Sequence, residues 1–501
     1  MSSRPLYLDY AATTPVDGAV ARIMAECLTA EGDFGNPSST HAYGRAAALR
    51  IAQARAQLAA LVGVEPAEIV FTSGATESNN LAILGAARGN ADRGRHLITS
   101  RTEHKSVLDA FHRLEKEGFS VSWLTPAPDG RIDPAAFGAA LRSDTVLAAI
   151  MFANNETGVL EDVATLGALC RERGIAFHCD CSQAVGKVPL TLHELPIDFA
   201  AFTAHKLYGP KGIGALYVRE GARGLLQPLT YGGGQERNLR PGTPATQQIV
   251  GFGAACELAA REIAAEGPRL TRLREQLWQG LAALGGVHQN GAAAPRLPGI
   301  LNVSFEGVHG ESLVGALSAL ALSTGSACSS ESADPSYVLR ALGRSTQLAQ
   351  SSLRFSVGRP TSEGDVDVAV GAVAEAVGRL RALSPAAPAA SAPGAGWAGA
   401  GASGAAIVSG EAGGRGQETW VRFHLLIAGD TVKEARFQAF ACPHTTEVAA
   451  WLCAELRGRT REQLIPGTPG AWAQARGVPA EKLGRLLVVE DALRACVAHW
   501  G

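Results

Sequence analysis

The chain has 501 residues, a formal net charge of −2 at pH 7, 46% hydrophobic residues and 18% charged residues. Its length predicts two or three domains, and its composition excludes a disordered chain. The near-neutral balance leaves no global field to attract nucleic acid or an anionic membrane, so neither is an expected partner. The N-terminus "MSSRPLYLDYAATTP" has no basic segment leading into an apolar one, and no apolar run approaches the length of a membrane span. Nine cysteines are scattered without paired metal-site spacing; Cys179 and Cys181 form one C-x-C with no partner pair. The expectation is a reduced, cytoplasmic protein with mostly buried thiols and no metal site.

In chain order, "EIVFTSGATESNNLAILGAA" reads as strand, glycine turn and helix. "HLITSRTEHKSVLDAFHRLEKEG", "TVLAAIMFANNETG" and "IAFHCDCSQAVG" continue the alternation. Strands alternating with helices predict an α/β fold, a mainly parallel sheet with helices on both faces. Ligands of such sheets sit at the carboxyl ends of strands, so the segments after these strands are where chemistry belongs. Composition changes after "AVGRLRALSP": residues 384–415 are dominated by Ala, Gly, Pro and Ser and predict a flexible linker. Residues 416–501 read as a small α+β unit. "TWVRFHLLIAGDTVKEARFQAFAC" is strand, Gly-Asp turn and strand; "TTEVAAWLCAELRG" and "VEDALRACVAHW" are helices.

The strongest local signal is "FTAHKLYGPKGIGALYV", where Lys206 follows a predicted strand and precedes a glycine-rich turn. A desolvated lysine there suits a Schiff base. A pyridoxal phosphate site also needs an acid on the ring nitrogen, a stacking group and a phosphate cradle. Asp180 in "FHCDCSQAVG" ends an apolar strand, His104 in "SRTEHKSV" follows another, and Gly74, Ala75 and Thr76 open a helix after a third. Backbone amides and a hydroxyl at a helix start make an anion site. Each residue alone has a commoner reading: a surface lysine, a helix-capping acid, a structural histidine, an ordinary turn. Their joint placement after four strands outweighs those readings. One further residue stands out. Cys328 in "STGSACSSES" is a thiol in a small, polar stretch that cannot build a core around it.

These stretches, with "YLDYAATTPVD", "GNPSSTHAYGR", "GGGQERNLRPGT" and "SLRFSVGR", closely resemble the cysteine desulfurases, the NifS/IscS-type members of the fold-type I pyridoxal-phosphate enzymes. The resemblance covers residues 1 to about 380. It implies a desulfurase over 1–383, with a large domain about 15–260 and a small domain from 1–14 plus about 261–383. A linker follows at 384–404, flexible to about 415. It implies that Lys206 carries the cofactor, Asp180 binds the pyridine nitrogen, Gln183 the ring hydroxyl, and His104 stacks on the ring. Ala75, Thr76, Thr203 and His205 would hold the phosphate, and Thr243 would reach it from a second subunit, implying a homodimer. Asn155 and Arg354 would grip L-cysteine, a guanidinium fork suiting its carboxylate; Arg354 alone could equally be a surface salt bridge. Cys328 would be the loop nucleophile that takes the substrate sulfur as a persulfide, releases L-alanine, and passes sulfur to an acceptor protein for iron–sulfur assembly or thiolation. Competing activities are selenocysteine lyase or another fold-type I aminotransferase or lyase, for which Cys328 is the discriminating residue. Outside enzymology the competitor is a scaffold protein with a decayed site.

The tail, residues 405–501, resembles the IscU/NifU-type iron–sulfur scaffolds through "VKEARFQAFACPHTTEVAAWLCAELRGRTREQL" and "EKLGRLLVVEDALRACVAHW". Cys442 matches one of that family's three ligand cysteines. The first falls near Gly416, the acid near Glu418, and the His-Cys pair at Gly484–Arg485, so the tail cannot hold a cluster in the family's way. It is expected to be a degenerate docking module or a tethered persulfide acceptor. His444 beside Cys442 would favour the thiolate, and Cys453 and Cys496 read as core.

Overall fold

The computed structural model describes residues 4–308, 310–317, 319–323, 335–383, 405–414, 419–479 and 482–500. The chain divides into two compact units, residues 1–380 and 381–501.

The first unit is built on seven strands: β1 (Ile69–Thr72), β2 (His96–Ser100), β3 (Ser120–Leu124), β4 (Thr145–Ala149), β5 (Ala176–Asp180), β6 (Phe199–Thr203) and β7 (Gly214–Val218). They pair in the order β1-β7-β6-β5-β4-β2-β3. All neighbours are parallel except β7, which runs antiparallel to both β1 and β6. Six of the seven strands are buried along their whole length, as continuous apolar runs covered on both faces should be. Side-chain alternation divides the core. Ile98, Ala148 and Phe177 face one apolar cluster, while their neighbours Leu97, Leu147 and Ala176 face the other. The expected α/β class therefore holds, with one antiparallel strand.

A second layer follows. Strands β8 (Val287–Gln289), β9 (Ile300–Phe305) and β10 (Ser352–Ser356) form an antiparallel sheet backed by the helix Glu363–Leu383. Leu6–Tyr7 pairs with Leu320–Ala321, so the N-terminal segment is tied into this later part of the chain. The domain boundary expected near residue 260 falls inside one continuous helix, Thr246–Ala282, which runs through Pro268.

In the second unit, β11 (Ala405–Gly414), β12 (Thr419–Ala428) and β13 (Thr431–Phe440) form an antiparallel meander. The Gly429–Asp430 turn closes the second hairpin where Ala428 pairs with Thr431. Helices Pro443–Glu455, Pro469–Arg476 and Leu483–His499 supply Leu452, Trp472, Leu486, Val489 and Leu493 to a core with Val421, Phe423 and Leu425. Cys496 lies in that core and Cys453 packs half-buried against it. One expectation is corrected here. Composition predicted flexibility to residue 415, yet 405–414 pairs along its whole length with β12. The small residues have a packing reason: a Cβ at Gly410 would collide with the backbone of Ala492 and Cys496 in the last helix. The linker 384–404, Gly416 and Glu418 lie outside the described residues.

Candidate active site

A cavity of about 540 Å³ opens at the carboxyl ends of the parallel strands. Residues Ser73–Thr76 follow β1, His104 follows β2, Asn155 follows β4, Asp180 ends β5 with Gln183 just beyond it, and Thr203 ends β6 with His205 and Lys206 in the turn after it; Arg354 comes from β10. Gly74 caps the helix Ala75–Gly89 without a side-chain hydrogen bond, which leaves the cap to be filled from the cavity. Gly214 of β7 lets this turn approach: a Cβ there would come within 2.6 Å of Gly74 Cα. The Lys206 turn is fixed from outside the sheet. Thr14 gives its amide (2.8 Å) and hydroxyl (2.9 Å) to the His205 carbonyl. Tyr208, at φ 64°, is held in the left-handed region by its amide on Thr14 Oγ1 (2.8 Å) and by Arg359 stacked 4.3 Å from its ring. Cys328 lies outside the described residues, and Thr243 is exposed and does not line this chain's cavity.

The charges are sorted by environment. Burial pushes the Asp180 carboxyl up, but Lys206, His104 and the bonds from Ser182 outweigh it and hold the group below its usual value, as a carboxylate. Burial and the Lys206 charge lower His104, and burial with Lys206 takes His205 down to about 4, so both imidazoles are neutral at pH 7. His104 Nδ1 accepts the Ser106 amide at 3.1 Å, which leaves the hydrogen of the neutral ring on Nε2. Gln183 donates to the Ala11 carbonyl at 2.8 Å and accepts from Lys187 at 2.9 Å.

Pyridoxal phosphate fits these residues. Among the described residues, the cavity wall carries buried polar atoms with no hydrogen-bond partner: Asn155 Oδ1 and Arg354 Nε. A carboxylate, two neutral imidazoles, an amine and an open helix start are the donor set that a phosphorylated pyridine aldehyde requires. A Cβ on Gly74 would meet nothing within 4 Å, so room remains at the cradle.

The family model of class-V aminotransferases matches residues 6–368. The cysteine desulfurase IscS of Pectobacterium atrosepticum and that of Azotobacter vinelandii are each 53% identical over 382 residues, covering 76% of this chain and 95% of the relative. The chain belongs to the cysteine desulfurases. Among solved structures, SspA in complex with cysteine is 38% identical at a TM-score of 0.63, covering 70% of this chain and 98% of that one. DndA from Streptomyces lividans is 42% identical at a TM-score of 0.60, covering 70% and 99%. Pyridoxal 5′-phosphate is the cofactor of this family. These matches cover the first unit, and an IscU-like identity for the second gains no support from them.

In this cysteine desulfurase three groups escaped sequence reasoning. Asp9 pairs with Arg354 at 2.8 Å, an ion pair at the cavity rather than on the surface. Asn79, on the helix behind the phosphate cradle, donates to Asp180 Oδ2 at 2.8 Å. Glu156 follows Asn155 and accepts the Ser336 hydroxyl at 2.5 Å. Only "ATESNN" and "ANNETG" carried a signal for the last two, as polar residues beside the matched ones. Burial raises Glu156 to about 7, against the Ser336 bond and the Arg354 charge. Its folded pKa lies above the ordinary 4.5, so the folded chain keeps a proton that the unfolded chain loses as pH rises from 4.5 to 7. Stability from this group falls across that window. Glu156→Gln is therefore expected to gain about 3 kcal/mol over the parent at pH 8 and almost nothing at pH 4.5. Urea unfolding at the two pH values measures it.

The tail's cysteine sits in a setting different from the expected one. Cys442 is buried at the start of the helix Pro443–Glu455, with Sγ 3.2 Å from Thr445 Oγ1. Burial pushes its thiol up, but the Thr445 hydroxyl and amide and the Arg485 guanidinium win and lower it. The group expected to do this was His444. The structure assigns the effect to Thr445 and Arg485 instead, and Arg485 stands where the scaffold resemblance places a metal ligand.

Proposed function

We propose that the protein converts L-cysteine to L-alanine and holds the released sulfur as a persulfide on Cys328 for transfer to an acceptor. One observation carries this reading: Lys206, Asp180, His104, Asn155 and Arg354 line one cavity at the carboxyl edge of the sheet. The cofactor, when bound, supplies an electron sink for charge developing at the substrate Cα. Asp180, as a carboxylate, would keep a proton on the ring nitrogen, and His104 would stack on the ring. Asn155 and Arg354 hold the substrate carboxylate, and Lys206 Nζ moves the α-proton. The Cys328 thiolate attacks the substrate Sγ. An S–S bond forms, the Cβ–Sγ bond breaks, and its electron pair is protonated at Cβ as L-alanine forms. His104, neutral with Nε2–H, would move the proton. Thr243, exposed on its own chain, is free to serve the phosphate of a second copy, a homodimer that sedimentation would detect.

For the second unit we infer a persulfide acceptor at Cys442, since Arg485 and Thr445 favour the nucleophilic thiolate. Peptide mass spectrometry after brief L-cysteine treatment, with alanine assayed in parallel, tests both readings. One added sulfur on Cys328, abolished by Cys328→Ser together with alanine release, is the expected result. Sulfur then appears on Cys442. Alanine release that survives Cys328→Ser would remove the persulfide mechanism, and a Cys442 that stays bare leaves the tail a docking module.

A further inference from the structure

Asn79 is fully buried, and it reaches both Asp180 and His104, the groups that would face the cofactor ring, directly or through one hydroxyl. Its Nδ2 donates to Asp180 Oδ2 at 2.8 Å and to Ser106 Oγ at 2.9 Å, and its Oδ1 lies 2.9 Å from His178 Nε2. The ionised Asp180 can only accept, so the amide nitrogen must face it. Oδ1 then faces His178, whose Nε2 must carry the hydrogen; burial brings that ring down to about 4 and keeps it neutral. Ser106 Oγ, having accepted from Asn79, directs its own hydrogen to His104 Nδ1 at 2.8 Å. The direction of every hydrogen bond in the chain His178–Asn79–Ser106–His104 thus follows from the charge on Asp180.

We propose that Asn79 is a positioning residue for the cofactor ring: one amide fixes the Asp180 carboxylate that would meet the ring nitrogen and, through Ser106, fixes the orientation and tautomer of the His104 ring. The proposal rests on the desulfurase reading and adds a residue to it. The other oxygen of Asp180 accepts the Ser182 amide at 2.9 Å, so each carboxylate oxygen has a fixed donor. Removing Asn79 takes away one of the bonds that favour the charged form. Among the described residues, the titratable groups that interact with Asp180 are Lys206, His104, His178, Glu103 and Cys179.

The test uses the full-length holoenzyme. Asn79→Leu is expected to lower kcat for alanine release about tenfold, with KM for cysteine within about twofold. It is also expected to weaken pyridoxal phosphate about tenfold and to shift the pH midpoint of the bound cofactor's visible band. In an Asp180→Asn background the same substitution should change cofactor affinity by less than about twofold, because its effect passes through the carboxylate. Equal weakening in both backgrounds would make Asn79 a packing residue and overturn the proposal. If Asn79→Leu does not fold, Asn79→Asp keeps the volume but cannot donate two hydrogens; it should shift the visible band in the same way, and an unchanged spectrum overturns the proposal. Unsubstituted protein that binds no cofactor and releases no alanine would overturn the desulfurase reading along with it. Active parent protein with parent-like Asn79 variants overturns this inference alone.

Discussion

Lys206→Ala is expected to lower alanine release by about 10³-fold or more while the fold persists. The side chain projects into the cavity from a turn whose backbone is held by other residues. The Thr14 bonds to the His205 carbonyl, and the Leu207 and Gly209 amides on the Ala204 carbonyl, do not involve the lysine side chain. Removing the amine also removes a positive charge that lowers Asp180, His104 and His205. The variant should therefore retain parent-like thermal unfolding, while both histidines titrate closer to the ordinary histidine range. Alanine assay, visible absorbance and thermal unfolding of the same sample measure these effects together. Alanine release within tenfold of the parent would remove Lys206 from the proton-transfer role.

What the sequence made legible follows strand ends. Asp180, His104, Lys206 and the Gly74–Thr76 turn each come directly after a buried apolar run, so a local pattern locates them without any knowledge of pairing. Asn79 does not follow that rule. It sits one helical turn into Ala75–Gly89, where an asparagine looks like any polar helix residue until the helix is laid against β5. Asp9 was invisible for a related reason: it is 345 positions from Arg354, and only the pairing of the N-terminal segment with later strands joins them. The strand 405–414 was lost because Ala and Gly were read as signs of flexibility. There they answer instead to a helix packed close on a strand, and composition cannot separate the two causes. The setting of Cys442 was misassigned because sequence adjacency pointed to His444, while the fold brings Arg485 from the last helix.

Arg354 carries two loads, and the second prediction separates them. Its Nη2 bonds Asp9 at 2.8 Å, its Nη1 bonds the Asn155 carbonyl at 2.8 Å, and its buried Nε has no partner among the described residues. The guanidinium therefore anchors Asn155, which lines the same cavity, and still has a donor to give. Arg354→Gln is expected to reduce kcat/KM for L-cysteine by about 10²-fold through loss of charge-assisted bonds to the substrate carboxylate. It also strands Asp9, whose side chain is 19% exposed. Breaking a buried pair from one side costs about 3 kcal/mol, less what residual solvent returns at Asp9. Asp9→Asn added to Arg354→Gln should recover most of the lost stability, because no unpaired charge remains, and none of the lost kcat/KM, because the substrate still meets no guanidinium. Steady-state kinetics and urea unfolding on the two variants decide it. If the double variant recovers activity as well as stability, Arg354 serves the fold alone, and another cation must receive the carboxylate.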